Sequence, residues 1–371
     1  MGATILLAAG GTGGHLFPAE ALASELGARG YGVALATDHR AGAYGRDFPA
    51  DETHIIRSAS PRGGSVIAKA EAAFAIGGGT MAARAILHRM RPAAVVGFGG
   101  YPIVPPMLAA FLARVPTVLH EQNAVMGKAN RFLARRVTRI ATSFAETRGL
   151  ADAGKAVHTG NPVRGRVIAA ARAPFERPEP YGTLRVLVFG GSQGAKAFAD
   201  LVPPAIQRLE RALRARLSIV QQARPEDQVR VIGAYASADV AAEIATFFPD
   251  LPARIAAAHL VICRSGASSV AELSVIGRPA VLVPLPHALD DDQKYNALTL
   301  ERAGGAILAE QAGLTPDGLA TLIAALAADP GRLAAMAAAA RTTGRPDAVT
   351  RLADVVEAVA RRQLVTEGAA P

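Results

Sequence analysis

Residues 5–26 read ILLAAGGTGGHLFPAEALASEL: an apolar run, a loop through Gly10-Gly11-Thr12-Gly13-Gly14-His15, then a segment rich in Ala and Leu. An unbroken apolar run is a strand buried on both faces, which belongs to a parallel sheet covered by helices. The unit returns at residues 184–198 as LRVLVFGGSQGAKAF. Two strand–glycine–helix openings in one chain predict an α/β protein made of two Rossmann-like doubly wound domains facing each other, with ligands at the carboxyl ends of the strands.

Further strands are expected in the first half at YGVALATD (31–38), AAVVGFGG (93–100), TVLHEQN (117–123) and RIATS (139–143). In the second half they are expected at SIVQQ (218–222), VRVIGAY (229–235), LVICRSG (260–266), AVLVPLP (280–286) and GAILAE (305–310). The 371 residues suit two domains at the usual ~100–200 residues each. The Pro-rich stretch at 173–180 reads as a connection, so the division is 1–163, a linker at 164–182 and 183–345. A last helix at about 346–362, with Val349, Leu352, Val356 and Val359 on one side, is placed to pack back on the first domain.

A net charge of +9 implies acidic company, while the absence of Trp and the low aromatic content disfavour a base-stacking nucleic-acid surface. The single cysteine, Cys263, excludes an internal disulfide framework and fits a reducing compartment. Ala93 to Ala113 carries no charge, yet Gly97, Gly99, Gly100, Pro102, Pro105 and Pro106 argue against a membrane span and for a strand, a loop and a short helix. No basic n-region precedes the first strand, so no secretory signal is read there.

The chemistry gathers at strand ends. In VICRSGASSVAEL (261–273) a strand stops at Arg264-Ser265-Gly266 and a helix begins at once, so unpaired backbone N–H groups and the positive end of the helix converge on an anion seat. Glu272, further along the same element, suits the hydroxyls of a sugar. Neither glycine loop keeps dinucleotide-binding or Walker spacing, so both are generic phosphate cradles or tight turns. His15, at the end of the first loop, is a proton-transfer candidate. Asp290-Asp291-Asp292 invites a metal, but its place before a helix makes N-terminal capping the simpler account. Gln293 and Asn296 follow with amides suited to sugar hydroxyls. Lys128, Arg131 and Arg135, with Arg62, Lys69, Arg84, Arg89 and Arg91 around AAFAIGG, give the first domain a basic, partly apolar character that suits an anionic membrane surface.

The succession GGTGGH, GFGGYP, HEQN, GNPVR, GGSQGA, CRSGA and GRPAVLVPLPH…DDQKYNA resembles the MurG family of bacterial peptidoglycan glycosyltransferases over nearly the whole chain. The resemblance implies the GT-B fold, with a lipid acceptor handled by the N-terminal domain and a UDP-sugar by the C-terminal one. It implies transfer of N-acetylglucosamine from UDP-N-acetylglucosamine to undecaprenyl-linked lipid I, with inversion, giving lipid II at the cytoplasmic face of the plasma membrane. Arg164 and Ser192 would then meet the donor's diphosphate or nucleotide, Ser265 and Gly266 its phosphate, Glu272 its ribose and Gln293 its sugar hydroxyls.

By the same resemblance Thr12, Gly13, Gly14 and His15 lie by the reaction centre and the acceptor phosphate, Tyr101 on the acceptor side, and Asn123 on the donor side. His15 is the first candidate for the general base and Glu121 the second. No metal is required by any motif, although Mg²⁺ could assist the diphosphates. Two features depart from the family: Asp292-Gln293 stands where a Gln-Gln pair is common, and Gln221-Gln222-Ala223-Arg224 replaces the usual His-Gln-Ser/Thr-Gly. The alternatives are a UDP-N-acetylglucosamine 2-epimerase on the same fold and a non-enzymatic basic membrane binder.

Overall fold

The computed structural model describes residues 2–10, 12–39, 48–59, 66–150, 152–191, 194–286 and 289–368, so Ser192 and Arg62 lie outside the described residues. The chain divides into two compact units, Met1–Arg164 with Arg345–Pro371, and Gly165–Gly344.

In the first unit seven parallel strands are β1 (Thr4–Ala8), β2 (Gly32–Thr37), β3 (Glu52–Ile55), β4 (Ala94–Gly97), β5 (Thr117–Glu121), β6 (Arg139–Thr142) and β7 (Ala156–His158), in the order β3-β2-β1-β4-β5-β6-β7. The order reverses between β1 and β4, which opens a crevice at their carboxyl ends. β1 has no hydrophilic side because helices cover both faces: Ile5 and Leu7 join one buried cluster and Leu6 and Ala8 another. The uncharged stretch from Ala93 resolves into β4, a short turn and the helix Val104–Leu112.

The last helix, Ala348–Gly368, completes this unit's core. Leu352, Ala353, Val356, Val359 and Ala360 are buried with Ile5, Leu7 and Leu22. Arg29, which ends the helix Gly13–Ala28, reaches Asp354 at 2.7 Å and Glu357 at 3.4 Å.

The second unit holds six parallel strands: β8 (Leu184–Phe189), β9 (Leu217–Gln222), β10 (Ala241–Ala245), β11 (Leu260–Cys263), β12 (Ala280–Leu282) and β13 (Ala306–Leu308). Their order, β10-β9-β8-β11-β12-β13, places the reversal between β8 and β11. The expected strand VRVIGAY is instead part of a helix, Gln228–Ser237. Only Val231 and Tyr235 of that stretch face the core, one helical turn apart, while Val229 and Ile232 are exposed. The strand is the following AAEIA, an edge strand with little burial and therefore a weak apolar signal.

The expected linker at 164–182 is also revised. Residues 165–170 form a helix, and the next residues are fastened to the second unit. Arg278 donates to the carbonyls of Ala173 (3.2 Å), Pro174 (3.1 Å) and Ala256, and Phe175 packs on the unit's core.

His120, near the carboxyl end of β5, shows how tightly the strand ends are joined. It is fully buried, with Nε2 3.4 Å from the Gly160 carbonyl and 3.5 Å from Ser143 Oγ, so one ring touches the segments that follow β6 and β7. Burial is the main force pushing its pKa down to about 4; the Gly160 carbonyl opposes it and nearby His15 adds to it. The ring is thus neutral in the fold, whereas in the unfolded chain it titrates near ~6.5. Its contribution is complete above pH ~6.5 and is lost as pH falls through that value toward the folded pKa. Wild-type unfolding free energy should therefore drop between pH ~6.5 and 4 more steeply than that of His120→Asn, by on the order of 2–3 kcal/mol over the window. Urea titrations at several pH values measure this, and identical pH slopes would refute it.

Candidate functional site

In the first unit β1 runs into the glycine loop, and Thr12, in extended conformation, precedes the helix Gly13–Ala28. The amides of His15 and Leu16 both donate to the Thr12 carbonyl at 3.0 Å. β4 runs into Phe98-Gly99-Gly100-Tyr101, where Gly99 and Gly100 hold positive φ of 88° and 72°. A Cβ on Gly99 would stand 3.1 Å from His15 Cε1, and one on Gly100 would stand 3.3 Å from His15 Nε2. These two glycines therefore make the space for the imidazole, and the two expected loops meet at His15. Tyr101 is half-buried and packs against the apolar cluster under β4.

The HEQN motif closes β5. Glu121 is 1% exposed, and both its oxygens are engaged: Oε1 accepts from the Asn123 amide at 3.0 Å, Oε2 from the Gly127 amide at 3.0 Å and Asn130 Nδ2 at 2.7 Å. Burial raises its pKa and these donors oppose the shift. The carboxylate thus staples the loop that carries half-buried Asn123, a role the motif alone did not indicate. Gln122 donates to the Phe98 carbonyl at 2.6 Å, joining the ends of β5 and β4. Arg164 sits over Phe17, its guanidinium carbon 3.6 Å from the ring centroid. Phe17 carried no signal in the sequence beyond one turn of spacing from Gly13.

In the second unit β11 ends at Cys263, and Gly266, in extended conformation, caps the helix Ala267–Ile276. Ser265 is fully buried, and its hydroxyl and that of Ser268 have no hydrogen-bond partner among the described residues. Unmet buried hydroxyls beside a helix N-terminus are what an anion or its bound water would satisfy. Glu272 is also buried, and its charge adds to burial in pushing the Cys263 thiol up, which leaves that cysteine an inert core residue. Asn296 donates to the Ser265 carbonyl at 3.1 Å, which ties the helix Asp292–Arg302 to the same strand end.

Gln293 is oriented by its own carbonyl, which accepts from the Leu285 amide at 3.0 Å. Asp292 accepts from the Gln293 amide at 2.8 Å, and its pKa is raised by burial, with Asp290 and Asp291 adding to the shift. Asp290 and Asp291 sit at positive φ, and Asp291, the residue at the N-cap, makes no side-chain cap; Asp292 already lies inside the helix and binds the amide of its own neighbour, so the expected capping is not made at the N-cap. Among the described residues no group of three or more His, Cys, Asp or Glu side chains could hold a metal ion.

Arg264 does not join the anion seat. It donates to the Val283 and Pro284 carbonyls at 3.0 and 2.9 Å and to Gln311 at 2.6 Å, and so braces the loop after β12. Gln222, in the segment that departs from the usual motif, accepts from the Gly190 amide at 3.0 Å and donates to the Thr246 carbonyl at 3.0 Å. It fixes the start of the second glycine loop from the neighbouring strand. Arg224 is held by Asp227 at 2.9 Å and Glu226 at 3.1 Å.

Residues 5–142 match the glycosyltransferase family 28 N-terminal domain, and residues 185–352 the family 28 C-terminal domain. The chain is 55% identical over 366 residues to the UDP-N-acetylglucosamine--N-acetylmuramyl-(pentapeptide) pyrophosphoryl-undecaprenol N-acetylglucosamine transferase of Chelativorans sp. (strain BNC1), covering 99% of this chain and 98% of that one. It is 58% identical to the enzyme of the same name from Methylobacterium sp. (strain 4-46), with 95% of each chain covered. The crystal structure of Acinetobacter baumannii MurG superposes with a TM-score of 0.78 at 31% identity, over 96% of this chain and 99% of that one. A UDP-GlcNAc 2-epimerase from Neisseria meningitidis shares the fold at a TM-score of 0.67 but only 14% identity, over 95% of this chain and 98% of that one. Two parallel sheets with switch-point loops, both family 28 domains and these identities establish that the chain has the GT-B fold and belongs to the MurG family of glycosyltransferases.

Proposed function

We infer that this protein transfers N-acetylglucosamine from UDP-N-acetylglucosamine to the C4 hydroxyl of the N-acetylmuramoyl unit of lipid I, forming the β-1,4 bond of lipid II. The observation that carries the reading is the built seat at the end of β11, where two buried, unmet serine hydroxyls and a helix N-terminus are followed by buried Glu272. A diphosphate suits the first part and a ribose diol the second. Gln293, already fixed through its carbonyl, presents its amide to the sugar hydroxyls.

The reaction is a displacement with inversion. The acceptor hydroxyl attacks the donor's anomeric carbon opposite UDP, its proton passes to a base, and UDP leaves with added negative charge. The helix start at Gly266–Ser269 and the guanidinium of Arg164 stabilise that charge. A helix terminus supplies only ~0.3–2 kcal/mol, so a cationic group must contribute as well. His15 is the base in this reading. Glu121 is the weaker candidate because its carboxylate oxygens are committed to the Asn123–Asn130 loop. Charge stabilisation of this kind needs no resident metal, and Mg²⁺ on the diphosphates is compatible with it.

The acceptor's undecaprenyl chain calls for a membrane surface. Exposed Phe74, Met81, Phe111, Leu112 and Phe132 of the first unit, with Arg84, Arg89, Arg114 and Arg136 on the same helices or just after them, suit peripheral docking on anionic lipid at the cytoplasmic face. Among the described residues no single helix is long and apolar enough to cross a membrane. The bent pair Pro316–Ala328 and Pro330–Arg361 passes by length and composition, but Leu319, Ile323, Leu326 and Leu333 bury its apolar sides in the second unit's core.

The decisive assay follows UDP release from UDP-N-acetylglucosamine with and without a lipid I analogue. Release is expected only with the acceptor; an acceptor-independent change of the UDP-sugar into its 2-epimer would establish the alternative activity instead. Glu272→Ala should raise the donor KM by roughly 10- to 100-fold and leave the acceptor KM unchanged, the loss of hydrogen bonds to a charged group. His15→Ala should lower kcat by about 10²- to 10⁴-fold at nearly constant donor KM. Equal effects of Glu272→Ala on both substrates, or undiminished turnover of His15→Ala, would remove the respective assignment. In vesicle sedimentation the protein should bind phosphatidylglycerol vesicles and detach as salt rises, and Phe74→Glu with Phe111→Glu should weaken that binding. Equal binding to neutral vesicles would count against the docking surface.

A further inference from the structure

Phe17 touches two residues of the first unit that the reaction is expected to use. It stands one helical turn after Gly13, and its ring lies so close to that glycine that an added Cβ would meet Cε2 at 3.0 Å and Cζ at 3.1 Å. The guanidinium of Arg164, the last residue of this part of the unit, is stacked on the ring at 3.6 Å. Two residues before Phe17 on the same helix is His15. The ring is thus wedged between the glycine loop and the arginine.

The guanidinium carbon stands over the ring, a cation–π contact. An arginine held over an aromatic face can still bind a phosphate bidentately through N–H groups in the guanidinium plane. An arginine side chain otherwise loses considerable rotamer freedom on binding, and a fixed aromatic platform removes part of that cost beforehand. Leucine would keep the apolar contact with Gly13 but offers no π face, whereas tyrosine would keep both.

We propose that Phe17 is a positioning residue that holds the Arg164 guanidinium in place for a phosphate of a diphosphate-bearing substrate, either the UDP-sugar or the lipid-linked acceptor. The proposal rests on the phosphate-binding role read for Arg164 above.

The test is steady-state kinetics of the full chain with donor and acceptor varied separately, in the wild type and in Phe17→Leu, Phe17→Tyr, Arg164→Gln and the Phe17→Leu/Arg164→Gln pair. Phe17→Leu should raise the KM of one diphosphate substrate about three- to tenfold, with kcat little changed, and Phe17→Tyr should behave as wild type. Arg164→Gln should raise the KM of the same substrate, and Phe17→Leu should add nothing further in that background. The substrate that responds identifies the phosphate: if it is the donor, inhibition by UDP weakens while inhibition by uridine does not.

An unchanged KM in Phe17→Leu beside a raised one in Arg164→Gln overturns the proposal. So does a Phe17→Leu penalty that persists in full without the arginine, since that marks a purely structural role. If Arg164→Gln is silent, the phosphate role of Arg164 falls and the proposal with it, while acceptor-dependent UDP release would still stand.

Discussion

Every paired strand in the two sheets runs parallel to its neighbours, and a parallel pair can be joined only by a crossover that returns the chain to the starting edge. All carboxyl ends of a sheet therefore lie on one edge, and the polar residues that each strand cannot bury in its middle collect there. Thr12, His15, Gln122 and Asn123 in one unit, and Gln222, Ser265 and Asn296 in the other, follow from this constraint. The crevice forms where the order reverses, between β1 and β4 and between β8 and β11.

Near the strand ends, at both edges of the sheets, the protein holds polar groups mainly with backbone. Glu121 is met by two amides and an asparagine, and Arg264 and Arg278 by carbonyls, with Gln311 as one side-chain partner. Burial lowers the pKa of both arginines; at about 10, Arg278 remains charged at neutral pH. Each ties together segments far apart in the chain: Arg264 joins the ends of β11 and β12, and Arg278 joins the segment after residue 170 to the end of the helix Ala267–Ile276. Removing such a group leaves several carbonyls buried and unmet, which costs more than the bonds themselves contribute.

Much of this was legible in the sequence. Buried parallel strands announce themselves as apolar runs, and all the interior strands of both sheets, β1, β2, β4, β5, β6, β8, β9, β11 and β12, were expected from them. β3, β7 and β10 were not, because they lie at or near sheet edges and bury little. VRVIGAY misled because a short apolar run fits a strand and a helix equally well, and only the exposure of Val229 and Ile232 separates the two. At the site, the glycine loops and the polar residues after the strands could be located from the sequence because each follows an apolar run. The commitment of Glu121 to its own loop, the bracing role of Arg264 and the platform under Arg164 could not, since each depends on partners distant in sequence.

The first unit is built from two separated pieces of chain, and the second lies wholly between them. Translation therefore delivers the entire second unit before the helix Ala348–Gly368 exists. Until that helix leaves the ribosome, Ile5, Leu7 and Leu22 lack the side chains of Leu352, Val356 and Val359 that cover them. The second unit can complete its core during synthesis, whereas the first must wait with an apolar face uncovered, the state in which nascent chains are most prone to aggregate or to engage chaperones. Its glycine loop and His15 stand on that unfinished unit, so they gain their full support only once residues 348–368 have been made and packed.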